Sequence, residues 1–179
     1  DRFSLDNANS LVLGKSGGGK SFLVKLEALR SLMLGTEIIV IDPESEYKQL
    51  AEAVGGEFLS FKPGEEKYIN PFDLAPVLEE GENALSQKIL SLHALMKVML
   101  GSITAIEEAI LDRALVETYR RKGINEDPQT QAVAKAPLFA DLYAALIDLT
   151  GEEAKSLSIR LERFAKGSLS SLFNVQSTI

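Results

Sequence analysis

A chain of 179 residues, 45% of them hydrophobic and 25% charged, has the make-up of a folded protein and the length for one full core, or for a small domain carrying a subdomain. Its net charge of −7 argues against a broadly basic surface that grips nucleic acid unaided, and the absence of cysteine excludes disulfides and thiolate metal sites while fitting a reducing cytoplasm. No apolar run approaches the about 20 residues of a membrane span, and no secretory leader opens the chain, so solubility is expected; the abrupt polar start, without methionine, reads as a piece cut from something longer.

After the polar residues 1–9, Ser10-Leu11-Val12-Leu13 is a short apolar run suited to a buried strand. It leads into Gly14-Lys15-Ser16-Gly17-Gly18-Gly19-Lys20-Ser21, which spells G-x-x-x-x-G-K-S, the phosphate-binding P-loop. Glycines let the backbone curl until successive N–H groups point inward and form a nest for the oxygens of a triphosphate. Lys20 adds a positive charge for the β- and γ-phosphates, and the Ser21 hydroxyl is placed to ligate Mg²⁺. The helix that follows, through Phe22, Leu23 and Leu26, brings its unpaired N–H groups and dipole to the same anion. Four such fixed positions coincide by chance in about one chain of this length in a hundred, and the strand and helix flanks lower that further. No G-x-G-x-x-G register exists, which rejects a dinucleotide site of the Rossmann kind.

Gly35 is a suitable stop for that helix, and residues 36–41, apolar and β-branched, read as a strand buried on both faces. Asp42-Pro43 ends it. A helical stretch over 46–54 stops at Gly55-Gly56, and residues 57–61 alternate like a third strand. Strand, helix, strand, helix, strand predicts right-handed crossovers and a parallel α/β sheet. Residues 62–74 are loop-like, with Pro63-Gly64 and Asn70-Pro71 as breakers. Beyond them Leu85, Ile89, Leu92, Met96 and Met99 make one helical stripe that ends at Gly101; Thr104 and Glu107 form a capping box for a second helix carrying Ile106, Ile110 and Ala114. A polar linker over 125–135 precedes a third helix over 138–146, and a fourth over 152–166 carries Leu157, Leu161 and Phe164. The expected division is a nucleotide-binding core over 1–75, a helical subdomain over 76–166 and a return segment over 167–179. No internal repeat or low-complexity run is present.

Asp42 stands at the carboxyl end of an expected strand, the edge of an α/β sheet where ligands bind. A carboxylate there can hold Mg²⁺ through water or polarise a water for attack on the γ-phosphate; a turn-forming Asp before Pro43 is the plainer alternative. Residues 38–42 have the apolar-run-then-Asp form of a Walker B strand, although they follow the P-loop helix directly. Glu44 and Glu46 are candidates for the water-orienting carboxylate, set against acids that merely favour a helix dipole. Tyr47 and Phe72 can stack on a base or simply pack. His93, the only histidine, has no ligand partners in sequence and reads as a surface or boundary residue. Arg120, Arg121 and Lys122, and separately Arg160, Arg163 and Lys166, read as cations at helix ends, with an arginine finger or a DNA contact as the alternative.

The P-loop together with Asp42-Pro43-Glu44-Ser45-Glu46-Tyr47 and Asn70-Pro71-Phe72-Asp73-Leu74 resembles the large ATPase of bacterial type IV secretion and conjugation, the fourth component of the VirB set, related to DNA-pumping hexameric translocases. The similarity runs over nearly the whole chain, to Leu161-Glu162-Arg163-Phe164 and Leu172-Phe173-Asn174. It implies an α/β fold, a RecA-like P-loop NTPase sheet with an inserted all-α helical subdomain. By carry-over Lys20 and Ser21 are the ATP and Mg²⁺ residues and Asp42 the acid associated with the site; together with the reading of the residues themselves, residues 14–21 are expected on ATP, Ser21 on Mg²⁺, and Lys20, Asp42 and Glu46 in catalysis. The family's Walker B Asp-Glu pair and its later arginine and glutamine motifs are expected beyond Ile179; Leu146-Ile147-Asp148, the nearest match, continues a helical pattern.

The leading expectation is an ATP-hydrolysing motor that works as a hexameric ring with copies of itself, energising a secretion channel from the cytoplasmic face of the inner membrane. A DNA-pumping translocase, with DNA as a partner, is one alternative; a non-catalytic, ATP-dependent interaction module is another. Small-molecule kinases rank last, since no second substrate signature is found.

Overall fold

The computed structural model describes residues 9–62, 64, 67–74 and 83–178, which fall into two compact units, one up to Phe58 and one from Leu59. The expected 75/76 division, Pro63 and Ile179 lie outside the described residues.

In the first unit α1 (Lys20–Met33) starts directly at the P-loop lysine. It closes where Gly35, at φ 76°, lets the amide of Thr36 reach back to the carbonyl of Ser31 at 3.1 Å. The second helix, α2 (Lys48–Ala53), is shorter than the 46–54 stretch expected and ends with the Gly56 amide on the Ala51 carbonyl at 2.8 Å.

The expected parallel sheet is not present: among the described residues none lies in a strand. Residues 10–13, 36–41 and 57–61 carry no ladder pairing, and the run expected to be buried on both faces exposes Ile39 at 87% and Ile41 at 92%. The α/β, RecA-like reading is therefore corrected. Its physical error is that an apolar β-branched run reports only a preference for a pleated, packed surface. A strand exists when neighbouring backbone supplies its N–H and C=O partners, and these three runs do not pair with one another.

The second unit is a helical bundle. Asn83 caps α3 (Ala84–Leu100) by accepting from the amides of Leu85 and Ser86 at 3.0 and 3.2 Å. The capping box expected at Thr104 and Glu107 opens α4 (Ala105–Arg121). Within the stretch read as a linker, Asp127 caps a short helix, α5 (Pro128–Val133), with proline at its first position, a start signal that the polar composition hid. Then come α6 (Phe139–Ile147), α7 (Glu152–Ala165) and α8 (Ser170–Phe173). The central helices α4, α6 and α7 pack on one another, α3 lies against α4, and α8 against α7. Leu92, Met96, Leu111, Leu115, Leu142, Leu157 and Leu161 form the core, as their 3.6-residue spacing requires. Ile106 departs from its expected stripe and is 61% exposed.

An aromatic cluster fills one end of this core. Phe139 meets Phe72 at 5.1 Å and Phe173 at 5.9 Å, both nearly edge to face, and Phe164 meets Phe173 at 5.4 Å. The buried Tyr119 hydroxyl donates to the Phe72 carbonyl at 2.7 Å, and its desolvation pushes the phenol well above its ordinary range. Asn70 binds the Pro137 carbonyl at 2.9 Å through its side chain, and its amide donates to the Ser177 hydroxyl at 2.7 Å. Ser177 in turn donates to Asp73, while the Thr178 amide reaches the Tyr68 carbonyl at 3.1 Å. Asn70 and Asp73 of the N-P-F-D stretch thus pin the returning chain at Ser177.

Candidate phosphate-binding loop

Positive φ at Gly17 (73°) and Gly19 (81°) turns the backbone of residues 14–19 into a tight, exposed loop. A Cβ at Gly18 meets the Lys15 carbonyl oxygen at 2.9 Å, and the Gly18 amide already bonds that oxygen at 3.0 Å. Around Gly17 and Gly19 a Cβ finds nothing within 4 Å, so there the backbone angle, and not space, demands glycine. The amides of the first turn of α1 have no acceptor within the helix. They sit at the positive end of a 14-residue dipole, with Gly19 as N-cap and no side-chain cap competing for them.

Lys20 folds over this loop, donating to the carbonyls of Gly14 and Lys15, each at 2.9 Å. Lys15 and Ser16 are exposed, and Ser21 is half-buried in the first turn. Open amides, a poised ammonium and an adjacent hydroxyl form the donor set that a polyphosphate with a hard cation takes, so ATP and Mg²⁺ fit the residues present.

Asp42 and Glu46 belong to the turn that leads into α2. The Asp42 carboxylate accepts from the Tyr47 amide at 2.8 Å, and that bond, aided by the amides of Glu46, Glu44 and Ser45, holds its pKa below the ordinary carboxylate range. Ser45 takes φ 58°, a left-handed value uncommon for a residue with a side chain. The Glu44 and Glu46 carboxylates are exposed and make no hydrogen bond or ion pair among the described residues. One residue of this site had no sequence signal: Lys25, on α1, donates to the Glu46 carbonyl at 2.7 Å and lies 5.1 Å from the centre of the Tyr47 ring. It acts on a backbone atom distant in sequence, which no spacing of residue types reveals.

The other singled-out side chains are engaged within the helical unit. Phe72 is fully buried, which removes it as a base-stacking surface. His93 Nε2 lies 3.1 Å from Asp112 Oδ1. Arg120 and Arg121 bind Glu117 at 2.7 and 2.9 Å, Arg121 also reaches Asp148 at 2.8 Å, and Lys122 meets Asp141 at 3.0 Å. Arg160 pairs with Glu107 and donates to the carbonyls of Leu100 and Ser102 at 3.3 and 2.9 Å; Arg163 donates to the Met99 carbonyl at 3.0 Å, and Lys166 stacks over Tyr143 at 4.3 Å. The contacts of Arg160 and Arg163 satisfy open carbonyls where α3 ends. Among the described residues no group of acids and histidine is arranged as a metal site, and no helix is long and apolar enough to cross a membrane.

Comparison with known proteins follows the same residues. The family model described as the TraG P-loop domain matches residues 1–169. The solved structure of VirB4 of Thermoanaerobacter pseudethanolicus superposes with a TM-score of 0.80 at 33% identity, over 93% of this chain and 45% of that one. The chain thus spans less than half the length of that relative. No curated protein matches.

Proposed function

This chain belongs to the TraG P-loop domain family, and from that premise we propose that it binds magnesium ATP at residues 14–21 and, in the complete protein, hydrolyses it to drive type IV secretion or conjugative transfer. The resemblance drawn from the P-loop and the D-P-E-S-E-Y and N-P-F-D stretches has its counterpart in the likeness to VirB4. The observation that carries the reading is the loop itself: left-handed glycines at 17 and 19, open first-turn amides, and Lys20 lying across the loop's rim.

In this reading the amides of the loop and of the first turn of α1 cradle the phosphates. The ammonium of Lys20 exchanges its bonds to the carbonyls of Gly14 and Lys15 for phosphate oxygens, a trade of neutral acceptors for anionic ones. Ser21 supplies a hydroxyl to the metal, whose charge, when bound, offsets that of the phosphates. Asp42 shapes the 42–47 turn, and Glu46, whose carboxylate has no partner among the described residues, orients water. Copies of the chain assemble as a ring, a hexamer in the motor reading, on channel proteins at the cytoplasmic face of the inner membrane.

The test uses the full-length protein. Calorimetry with magnesium ATP is expected to give binding that Lys20→Ala weakens by about a hundredfold or more, and phosphate release is expected to fall with it. Equal binding and equal turnover in the variant and the unaltered protein sink the proposal. Binding without turnover, in the full assembly as well, favours the non-catalytic module instead.

A further inference from the structure

We propose that Lys25 is a positioning residue through which the P-loop helix holds the 42–47 turn, and so the Glu46 carboxylate, at a fixed place; the inference rests on the nucleotide reading of residues 14–21. Lys25 lies one helical turn beyond Ser21, about 6 Å along α1 and on the same face. Any adjustment of that first turn when an anion engages it is felt directly at Lys25.

The choice of partners argues for positioning over charge balance. Three carboxylates, those of Asp42, Glu44 and Glu46, stand on the turn, and a surface lysine serving only electrostatics pairs with one of them. Lys25 instead bonds a neutral acceptor, the Glu46 carbonyl at 2.7 Å, and covers the face of Tyr47 at 5.1 Å. Asp42 meanwhile closes the turn from within through the Tyr47 amide at 2.8 Å. The turn is therefore gripped by its backbone from two directions, which sustains the left-handed Ser45 at φ 58°. The acids of Glu44 and Glu46 make no hydrogen bond or ion pair among the described residues. An acid required to orient a reacting water needs this combination of a fixed backbone and an uncommitted carboxylate.

The experiment compares Lys25→Met, which keeps the length of the stem and loses the donor, with Lys25→Arg, which keeps a donor, in the full-length protein. Affinity for magnesium ATP, phosphate release and hydrogen exchange of the 45–48 amides with and without nucleotide are measured together. Lys25→Met is expected to bind within about twofold of the unaltered protein while kcat falls about tenfold, with Lys25→Arg recovering most of that loss. In the unaltered protein and in Lys25→Arg, nucleotide is expected to slow exchange at 45–48; in Lys25→Met that response disappears. The inference is overturned if Lys25→Met keeps both its kcat and its nucleotide-dependent protection, or if it loses thermal stability alone. If the unaltered protein binds and turns over ATP but the variant matches it, this inference alone falls. If the unaltered protein binds without turnover, the exchange response decides; if it does not bind at all, the reading beneath it falls as well.

Discussion

In the helical unit the large side chains Phe72, Met96, Leu115, Tyr119, Phe139 and Leu161 are all fully shielded, whereas neither α1 nor α2 contains a single buried residue. The first region is held by burial, at roughly 25 cal/mol for each Å² of apolar surface removed from water. Local order in the P-loop unit comes from polar contacts to backbone: Lys20 on two carbonyls, Asp42 on the Tyr47 amide, Lys25 on the Glu46 carbonyl. The gain from such bonds is small, because each replaces a bond to water. Small local energies suit the proposed nucleotide loop, which on that reading exchanges its own partners for those of a ligand; a packed bundle has no such requirement. The contrast predicts that substitutions in the bundle act on stability and those in the loop act on ligand affinity.

The strongest blow to this contrast comes from the aromatic end of the bundle. Phe139 touches Phe72, Phe164 and Phe173, so Phe139→Ala is expected to cost about 3–5 kcal/mol of unfolding free energy, read by denaturant titration. A loss under about 1 kcal/mol would mean that burial is not what holds this end together. Next in size is Arg160→Met. It removes the cation from the buried Glu107 and the donors from the end of α3, for an expected loss of about 2 kcal/mol. Serine 156 and the Thr104 amide remain on the Glu107 carboxylate, which keeps the penalty from being larger.

The uneven legibility of the sequence follows the same division. Helices in the bundle could be read because a 3.6-residue apolar stripe, a Thr-x-x-Glu start and a Gly stop are local facts that packing reinforces, as at Leu85–Leu92–Met96 and Thr104–Glu107. The P-loop could be read because its motif positions are set by local demands of backbone angle, space or charge, as at Gly19, Gly18 and Lys20. Residues 36–41 could not be read correctly, since Ile38, Ile39 and Val40 announce strand preference but say nothing of a pairing partner. Lys25 and the pinning of Ser177 to Asn70 and Asp73 were invisible for a related reason: each joins distant residues through a backbone or hydroxyl group that composition does not flag.

A gentler probe separates angle from space within the loop. A methyl group at position 19 meets no atom within 4 Å, yet φ there is 81°, so Gly19→Ala is expected to cost about 1 kcal/mol through backbone strain alone. The alanine loop sheds that strain by leaving the left-handed angle when empty, and magnesium ATP must restore it, so titration should show affinity falling about fivefold. An unchanged affinity would mean that binding does not draw on the backbone angle at position 19.

The smallest effect is expected on the surface of the bundle, where Glu117 lies between Arg120 and Arg121. Hydrogen bonds from these two guanidinium groups hold its carboxyl down to about 2, from an ordinary 4.5. A folded value below the unfolded one means that the contribution is complete above about pH 4.5 and is lost as pH falls from there toward 2. Exposed pairs of this kind add little at neutral pH and are screened by salt. Glu117→Gln is therefore expected to leave the melting temperature at pH 7 nearly unchanged while flattening its decline through the acid window, most clearly at low ionic strength. A steep acid decline that survives the substitution would shift the cause to Glu107, whose carboxyl is also held low by the Thr104 amide and by Arg160. The acid limb would then report on the buried pair of the bundle and not on its solvent-facing charges.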